Sequence, residues 1–377
     1  MASNGAITDG FSYSIASECL SDSWINLVQN GKVSATINVD GETARYGVTW
    51  KDDRCCEFVE GTSPQIKELQ TLLESNSAQQ IVTTDDGYIV QLPLLRTLRP
   101  PPSPGFSGAA LSTPPPYDAS TDSFVTGPLA LQLRPVVATL ALPQLHTPWQ
   151  VFHNVSPADV RGHFLLIPTL DEPDTNWRAQ ALTPADCHDL VHLASSIAPV
   201  GSLLIGFNSV GAAASQNHIH AHAWPAWDYA VSNAKSIFDY FDLENGVEVT
   251  WLEYPVFCIE MSSSNGDALG SAVADVLRCL GDAPYNVGFV NRQDEDDEIV
   301  IYTDVYIFAR SKERSQSIPE LKLGISEMMG VFHAQSQQEF ELLSTNEVMS
   351  KALSDVTYYD ETTLWQKIRE TLTGEAQ

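Results

Sequence analysis

Three histidines alternate with small or apolar residues in the segment Ser-Gln-Asn-His-Ile-His-Ala-His-Ala-Trp-Pro, which spans positions 215–225. Residues two apart in a β-strand share one face, so His218, His220 and His222 are predicted to project the same way. Imidazole is a good nucleophile near neutral pH and also a good zinc ligand. The pattern therefore fits a hydrogen-bonded polar face, a zinc site, or nucleophilic catalysis at phosphorus.

The residues upstream favour the third interpretation. The stretch FNSVGAAASQ (207–216) brings small and hydroxyl-bearing residues up to the histidines, which suits the close approach of a phosphate with Ser215 as a donor. A second stretch, NVSPADVRGHFLLIP (154–168), lies further upstream. A zinc site needs a fourth ligand or a supporting carboxylate, and we identify neither nearby in the sequence. No ligand set for a divalent metal ion is visible in the sequence, and we expect no metal and no cofactor.

Residues 154–168 and 207–224, the second of which includes the three histidines, resemble the histidine triad superfamily. Within it, they are most similar to the family of GDP-D-glucose phosphorylases and GDP-L-galactose phosphorylases. Members carry an Asn-Val-Ser-Pro stretch, a glycine-histidine strand and an Asn-His-x-His-x-(His or Gln) strand. Further segments also resemble the family, namely DGYIVQLPLLRTLRP, PYNVGFV, VYIFARSK and GISEMMGVF. The resemblance thus extends from about Trp24 to about Phe340.

The resemblance implies a two-step reaction. His220 would attack the α-phosphorus of a GDP-hexose and release hexose 1-phosphate, and inorganic phosphate would then attack the guanylyl-histidine and release GDP. His218 would orient His220 through its backbone. His222 stands where transferases often carry glutamine and hydrolases carry histidine, so a nucleotide hydrolase is an alternative. A third possibility is a protein that keeps the fold for binding or for chemistry unrelated to nucleotides.

Substrate binding is assigned by the same resemblance. Ser215 and Asn217 would bind phosphate oxygens, and His163 and Asn154 match the strand that closes the pocket. Arg310 and Lys312 match a family segment and are candidates for phosphate contacts, although two basic residues after a strand are common. The substrate-binding residues predicted in this way are Asn154, Ser156, His163, Asn208, Ser209, Ser215, Gln216, Asn217, Arg96 and Arg99.

The order of predicted elements indicates an α+β protein in which strands dominate. Strands are expected at SLLIGFNS (202–209), HIHAHAW (218–224) and YNVGFVN (285–291), and a helix is expected to begin at Thr183-Pro184. LGISEMMGVFHA (323–334) fits a helix or a strand. The resemblance implies the architecture of galactose-1-phosphate uridylyltransferase, an antiparallel sheet with flanking helices and two related halves.

Two halves of the chain are predicted as domains. Residues 1–235 would form the N-terminal and catalytic half, with a proline-rich insertion near 98–116, and residues 236–377 would form a C-terminal half of the same type. The insertion cannot sustain a helix or a central strand because proline and glycine are so frequent there. The resemblance further suggests a homodimer.

Composition restricts the partners. The net charge of −28 argues against nucleic acid, because phosphate backbones are bound through lysine and arginine. No apolar run reaches the roughly 20 residues of a membrane span, and the first residues lack the pattern of a secretory signal. We therefore expect a cytoplasmic protein without a membrane partner, with its six cysteines reduced.

One further pair of histidines lies outside these motifs. His188 and His192 are four residues apart in the predicted helix after Thr183, so they share one face of it. This spacing fits a metal-binding pair, but we favour the interpretation as two solvent-facing helix residues.

Overall fold

The structure is a computed structural model that describes residues 15–39, 41–74, 81–93, 118–120, 122–126, 130–155, 157–170, 177–234, 237–294, 299–319 and 321–374. The proline-rich insertion predicted near 98–116 lies outside these residues. No helix in these ranges is long and apolar enough to cross a membrane.

A ten-stranded antiparallel sheet forms the centre of the fold, with the strands in the order β13-β14-β15-β17-β16-β11-β12-β9-β8-β7. Its first five strands in the chain are β7 (Val136–Leu140), β8 (Trp149–His153), β9 (Phe164–Pro168), β11 (Leu203–Asn208) and β12 (Ala221–Pro225). The other five are β13 (Ile237–Asp242), β14 (Glu248–Leu252), β15 (Cys258–Ser263), β16 (Tyr285–Gln293) and β17 (Ile301–Ala309). The prediction of an α+β fold built on an antiparallel sheet is confirmed.

Two helices cover one face of this sheet. Helix α3 (Pro184–Ser195) begins where the sequence predicts, because Thr183 and Asp186 form a reciprocal capping box ahead of a proline at the first turn. Helix α4 (Gly266–Leu280) is capped by Asn265, whose side chain accepts a hydrogen bond from the Ala268 amide. Both helices bury their apolar residues in one core together with the inward-facing residues of β11, β12, β16 and β17.

The same strand order occurs twice in the sheet. In the first half, β7, β8 and β9 form a meander, α3 follows, and the hairpin β11–β12 returns with β12 beside β9. In the second half, β13, β14 and β15 form a meander, α4 follows, and β17 of the next hairpin lies beside β15. The two halves meet where β11 pairs with β16, and there Gly206 lies opposite Gly288. The chain therefore contains two halves of one topology, whereas the domain boundary at 235/236 stays a prediction.

Smaller elements pack around the main sheet. Strands β2 (Ser34–Val39), β3 (Glu42–Lys51) and β4 (Arg54–Glu60) form one antiparallel sheet. Strands β5 (Ile81–Thr83), β6 (Ile89–Gln91) and β18 (Val331–His333) form another, and β1 (Ile15–Ala16) pairs with β10 (Ile197–Ala198). The remaining helices are α1 (Ser17–Gln29), α2 (Pro64–Glu74), α5 (Ile325–Met329), α6 (Gln337–Leu343), α7 (Asn346–Ser354) and α8 (Glu361–Thr373).

Helix α5 explains the two facing glycines. A Cβ on Gly206 would lie 2.8 Å from the Ile325 side chain, and a Cβ on Gly288 would lie 3.0 Å from the sulfur of Met329. Because Gly206 and Gly288 have no side chains, α5 can lie directly on the sheet, on the face opposite α3 and α4. The segment 323–334, for which the sequence fits helix or strand, contains both: α5 and then β18.

The histidine strand is shorter than predicted. The sequence predicts a strand over 218–224, but β12 begins only at Ala221, so His218 and His220 lie in the irregular segment that leads into it. Within the strand, Ala221 and Ala223 belong to the core under α3 and α4, so the side chain of His222 projects from the opposite face.

Candidate active site

His220 is held so that one defined ring nitrogen is available. Its Nδ1 lies 2.7 Å from the carbonyl oxygen of His218, and because a carbonyl can only accept, Nδ1 carries the ring proton. Nε2 of the neutral ring therefore bears the lone pair. The side chain is buried, and this burial lowers the pKa of His220 to about 4. At neutral pH His220 is consequently an uncharged imidazole with a nucleophilic Nε2.

Gln180 fixes the backbone of the same residue. Its Oε1 accepts a hydrogen bond from the His220 amide at 2.8 Å, and its Nε2 donates to the His220 carbonyl oxygen at 2.9 Å. The same Nε2 also donates to the carbonyl oxygen of Asn208 at 2.9 Å. One buried side chain thus joins the end of β11 to the segment that leads into β12.

A buried carboxylate supports the first histidine. Asp122 Oδ2 lies 2.6 Å from His218 Nδ1, and both side chains are almost fully buried. The amide of Phe124 donates to the other oxygen of Asp122 at 2.9 Å. The Phe124 ring then meets His220 edge-on, with the ring centroids 5.1 Å apart. Asp122 lies 96 positions from His218 along the chain, so it could not be identified among the residues near the histidines in the sequence.

The third histidine belongs to a pair. His222 Nδ1 lies 3.0 Å from His163 Nε2, and the ring centroids of His222 and His220 are 5.0 Å apart. The Ala158 amide donates to His163 Nδ1 at 2.9 Å, so the proton of a neutral His163 is on Nε2 and points at His222. Nε2 of a neutral His222 then carries a proton. Asn154 lies against the same pair, with its amide nitrogen 3.4 Å from His163 Nε2.

Two predicted binding residues are engaged with the second half of the sheet. Asn208 Oδ1 accepts hydrogen bonds at 2.7 Å from Asn286 Nδ2 and from the Ile325 amide. Ser209 Oγ accepts a bond from the Tyr285 amide at 2.8 Å. These contacts join β11 to β16 and α5, so the structure gives both side chains a role in holding the two halves together.

The segment 215–217 lies close to the histidines. The backbone N–H of Gln180 donates a hydrogen bond to Asn217 Oδ1 at 3.1 Å. Gln216 is buried, and its Oε1 lies 3.4 Å from the backbone nitrogen of Ser123. Ser215 is exposed. The structure therefore brings these residues next to the histidines, whereas their contacts with phosphate stay a prediction.

Four more residues are predicted to bind substrate or to contact phosphate, and the structure describes one of them. Ser156, Arg96 and Arg99 lie outside the described residues. Arg310 is fully buried and donates to Asn286 Oδ1 and to the Glu313 carbonyl oxygen, both at 2.8 Å. Its guanidinium thus stabilises the interior next to β16, which does not agree with a phosphate contact for Arg310.

Asp122, Phe124 and Gln180 are the site residues that sequence reasoning missed. Asp122 and Phe124 lie in a short polar segment, and Gln180 is a single amide in a loop before α3. None of these three residues has a sequence spacing that relates it to the histidines, so only the fold reveals that they lie at the site.

No protein-family model and no curated protein sequence matches this chain. Among solved structures, the fold is similar to that of yeast Ap4A phosphorylase Apa2, with a TM-score of 0.50 and 15% sequence identity over 74% of this chain and 86% of that one. The same yeast enzyme in complex with AMP gives a TM-score of 0.48 at 16% identity, covering 78% of this chain and 95% of that one. Its complex with Ap4A gives 0.46 at 16% identity, covering 76% and 94%. Because the sequence identity is only 15%, the match with the first of these structures shows a shared fold alone.

Proposed function

We propose that this chain is a nucleotidyltransferase that cleaves a GDP-hexose, of the GDP-D-glucose or GDP-L-galactose type, with inorganic phosphate. The observation that carries the proposal is the bond from His220 Nδ1 to the His218 carbonyl oxygen. It leaves Nε2 as the nucleophile in a ring that burial keeps neutral. The sequence resemblance to GDP-hexose phosphorylases supplies the substrate class.

The chemistry proceeds in two displacements at one phosphorus atom. In the first, the Nε2–P bond forms as the bond between the α-phosphorus and the bridging oxygen breaks, which releases hexose 1-phosphate and leaves a guanylyl-histidine. In the second, an oxygen of inorganic phosphate attacks the same phosphorus and the N–P bond breaks, which releases GDP. The hydrogen bond from Nδ1 to the His218 carbonyl stabilises the positive charge that the ring gains in the intermediate.

In this scheme His222 acts as a proton or hydrogen-bond donor. The chain of bonds from the Ala158 amide through His163 leaves a proton on His222 Nε2, next to the ring of His220. That N–H donates to a phosphoryl oxygen or to the departing oxygen of hexose 1-phosphate. The similarity in fold to a yeast Ap4A phosphorylase supports phosphorolysis of a nucleotide, and it adds dinucleoside polyphosphates to the substrates worth testing.

Hydrolysis is the second candidate, and His222 is the feature that favours it. A histidine at the third position is the residue that the resemblance associates with hydrolases, where water takes the place of inorganic phosphate. The two candidates give different products, namely GDP from phosphorolysis and GMP from hydrolysis.

Product analysis distinguishes them. Purified protein is incubated with GDP-, ADP- and UDP-hexoses and with Ap4A, each with and without inorganic phosphate, and the nucleotides are separated by chromatography. We expect GDP and hexose 1-phosphate to form from a GDP-hexose only when phosphate is present.

The control for this experiment is His220→Asn, which keeps a polar side chain in the same place but has no nucleophilic ring nitrogen. We expect its rate to fall at least about a thousandfold, as for removal of a catalytic nucleophile. Appearance of GMP without phosphate would establish the hydrolase instead. Equal turnover by the variant, or no turnover of any nucleotide, would overturn the proposed function.

A further inference from the structure

Two histidines and an aspartate converge where α3 meets α4. His188 Nε2 and His192 Nε2 each lie 2.8 Å from the same oxygen of Asp267, Oδ1. The two imidazole rings stand beside each other with centroids 4.3 Å apart. Their side chains are only 19% and 15% exposed, so the prediction that both are solvent-facing helix residues is wrong.

Two glycines on α4 make this convergence possible. A Cβ on Gly270 would lie 2.7 Å from Cα of His188, and a Cβ on Gly266 would lie 2.7 Å from Cε1 of His192. The glycines are one helical turn apart, like the histidines that they face. Each histidine of α3 therefore packs against a gap on α4, and this brings both Nε2 atoms to the first turn of α4, where Asp267 lies.

The surroundings of His188 Nδ1 point to a ligand on its other nitrogen. Nδ1 is buried without a hydrogen-bond partner, and it faces Asp189 Oδ1 at 3.7 Å. If Nε2 of a neutral ring donates to Asp267, then Nδ1 bears a lone pair directed at a carboxylate, which is unfavourable. If Nε2 instead binds a cation, the ring proton moves to Nδ1 and faces Asp189 favourably.

Asp189 itself is fixed in place. It accepts hydrogen bonds from the amides of His146 and Thr147 at 2.8 and 3.2 Å, and from the indole of Trp149 at 3.1 Å. A carboxylate behind a metal-bound imidazole is the usual arrangement that orients such a ring. Asp189 is therefore placed to support a ligand and is too saturated to be one.

We propose that His188 Nε2, His192 Nε2 and Asp267 Oδ1 bind a divalent first-row transition metal ion such as zinc. Two imidazoles and one carboxylate are a common protein ligand set for zinc, with a fourth position for water. Tetrahedral ligands at zinc lie about 3.3 Å apart, about 0.5 Å more than the present nitrogen–oxygen distances. The side chain of Asp267 is 78% exposed and can withdraw by this amount.

The position of this site indicates its role. Helix α3 belongs to the first half of the sheet and α4 to the second, and both lie on the face opposite His222 and α5. An ion bound here joins the two halves and lies on the other side of the sheet from the candidate active site. The ion would thus support the packing of the two halves, and its binding does not depend on the proposed nucleotidyl transfer.

Metal titration of the full chain tests the proposal. Protein freed of metal with a chelator is titrated with zinc by calorimetry and with cobalt by visible absorbance, and its melting temperature is measured with and without zinc. We expect one equivalent of zinc and a melting temperature raised by several degrees. Asp267→Asn, His188→Gln and His192→Gln should each weaken zinc binding at least tenfold, in line with the loss of one ligand.

Matched controls separate this site from the other histidines. His146→Gln alters a neighbouring ring that is hydrogen-bonded to Asp189, and His220→Asn alters the candidate active site, so both should keep the full affinity and the cobalt spectrum. Asp267→Asn changes an exposed side chain to one of the same size, so its loss of binding cannot be attributed to misfolding. No zinc uptake by the wild type, or uptake unchanged in Asp267→Asn, would overturn the proposal.

Discussion

A buried imidazole acts as a nucleophile only in its neutral form, and the environment of His220 favours that form. Burial penalises the imidazolium and lowers the pKa of His220 to about 4, well below the ordinary value of 6.5. The proton is therefore lost at a lower pH than usual, and the ring is neutral at every pH above about 5. The bond to the His218 carbonyl determines which nitrogen then carries the lone pair.

This pKa predicts an unusual pH dependence. The value of kcat/KM for the nucleotide should stay level from pH 8 down to about pH 5 and fall about tenfold per pH unit below pH 4, because only the neutral free enzyme reacts. Steady-state rates in overlapping buffers give the profile, and far-UV circular dichroism at each pH confirms that the protein is folded. A decline that begins near pH 6.5 would contradict control of the rate by a His220 of lowered pKa.

Local spacing accounts for what the sequence reveals at the scale of residues. His218, His220 and His222 lie within five positions of one another, so their alternation is visible in the sequence, and the small residues just upstream favour a nucleophile over a zinc site or a polar face. Asp122 and Gln180 lie 96 and 40 positions from their histidine partners, and contacts at such separations depend on the whole fold. The role of a basic residue after a strand is equally hard to predict from local sequence, since Arg310 matches a family segment as a candidate for phosphate contact but is fully buried.

At the scale of elements, α3 and α4 approach each other closely because of glycine. Gly270→Ala would place a methyl group 2.7 Å from the backbone of His188. Overpacking of this kind costs about 1–3 kcal/mol, and the better helix propensity of alanine offsets about 1 kcal/mol of that. Because the contact is with backbone, which cannot move aside easily, the cost lies at the upper end of that range, and we expect the free energy of unfolding in urea to fall by about 2 kcal/mol.

The control for this change is Ser271→Ala, one position further along the same helix and exposed. It should alter the free energy of unfolding by no more than about 0.5 kcal/mol, as surface substitutions usually do. An equal or greater stability of Gly270→Ala relative to Ser271→Ala would contradict the close packing of the two helices.

Helix ends and strand ends differ in how well the sequence predicts them. Thr183, Pro184 and Asp186 predict the start of α3 because capping depends on residues within one turn. The start of β12 depends instead on where β9 and β11 offer pairing partners, and pairing begins only at Ala221. His218 and His220 thus lie ahead of the strand, where Gln180 takes over the hydrogen bonds to the His220 backbone.

For the molecule as a whole, the sequence predicts two halves of the same type, but residue identity between the halves does not show the repeat. Each half consists of three strands, a helix and a hairpin, and β11 and β16 join the halves into one sheet. The short match between Ile205-Gly206-Phe207 and Val287-Gly288-Phe289 becomes meaningful only once the pairing is known. The net charge of −28 affects solubility more than fold, and the neutral, buried His220 is compatible with it.

If His220 carries the nucleotide covalently, mass spectrometry can detect the nucleotidyl-histidine intermediate. The protein is incubated with the nucleotide sugar that it turns over, in the absence of phosphate, and is digested at alkaline pH, where a phosphorus–nitrogen bond survives. We expect a nucleotidyl group on His220 that disappears as the nucleoside diphosphate forms when phosphate is added. Turnover without any adduct, or an adduct on His218 or His222, would contradict this expectation.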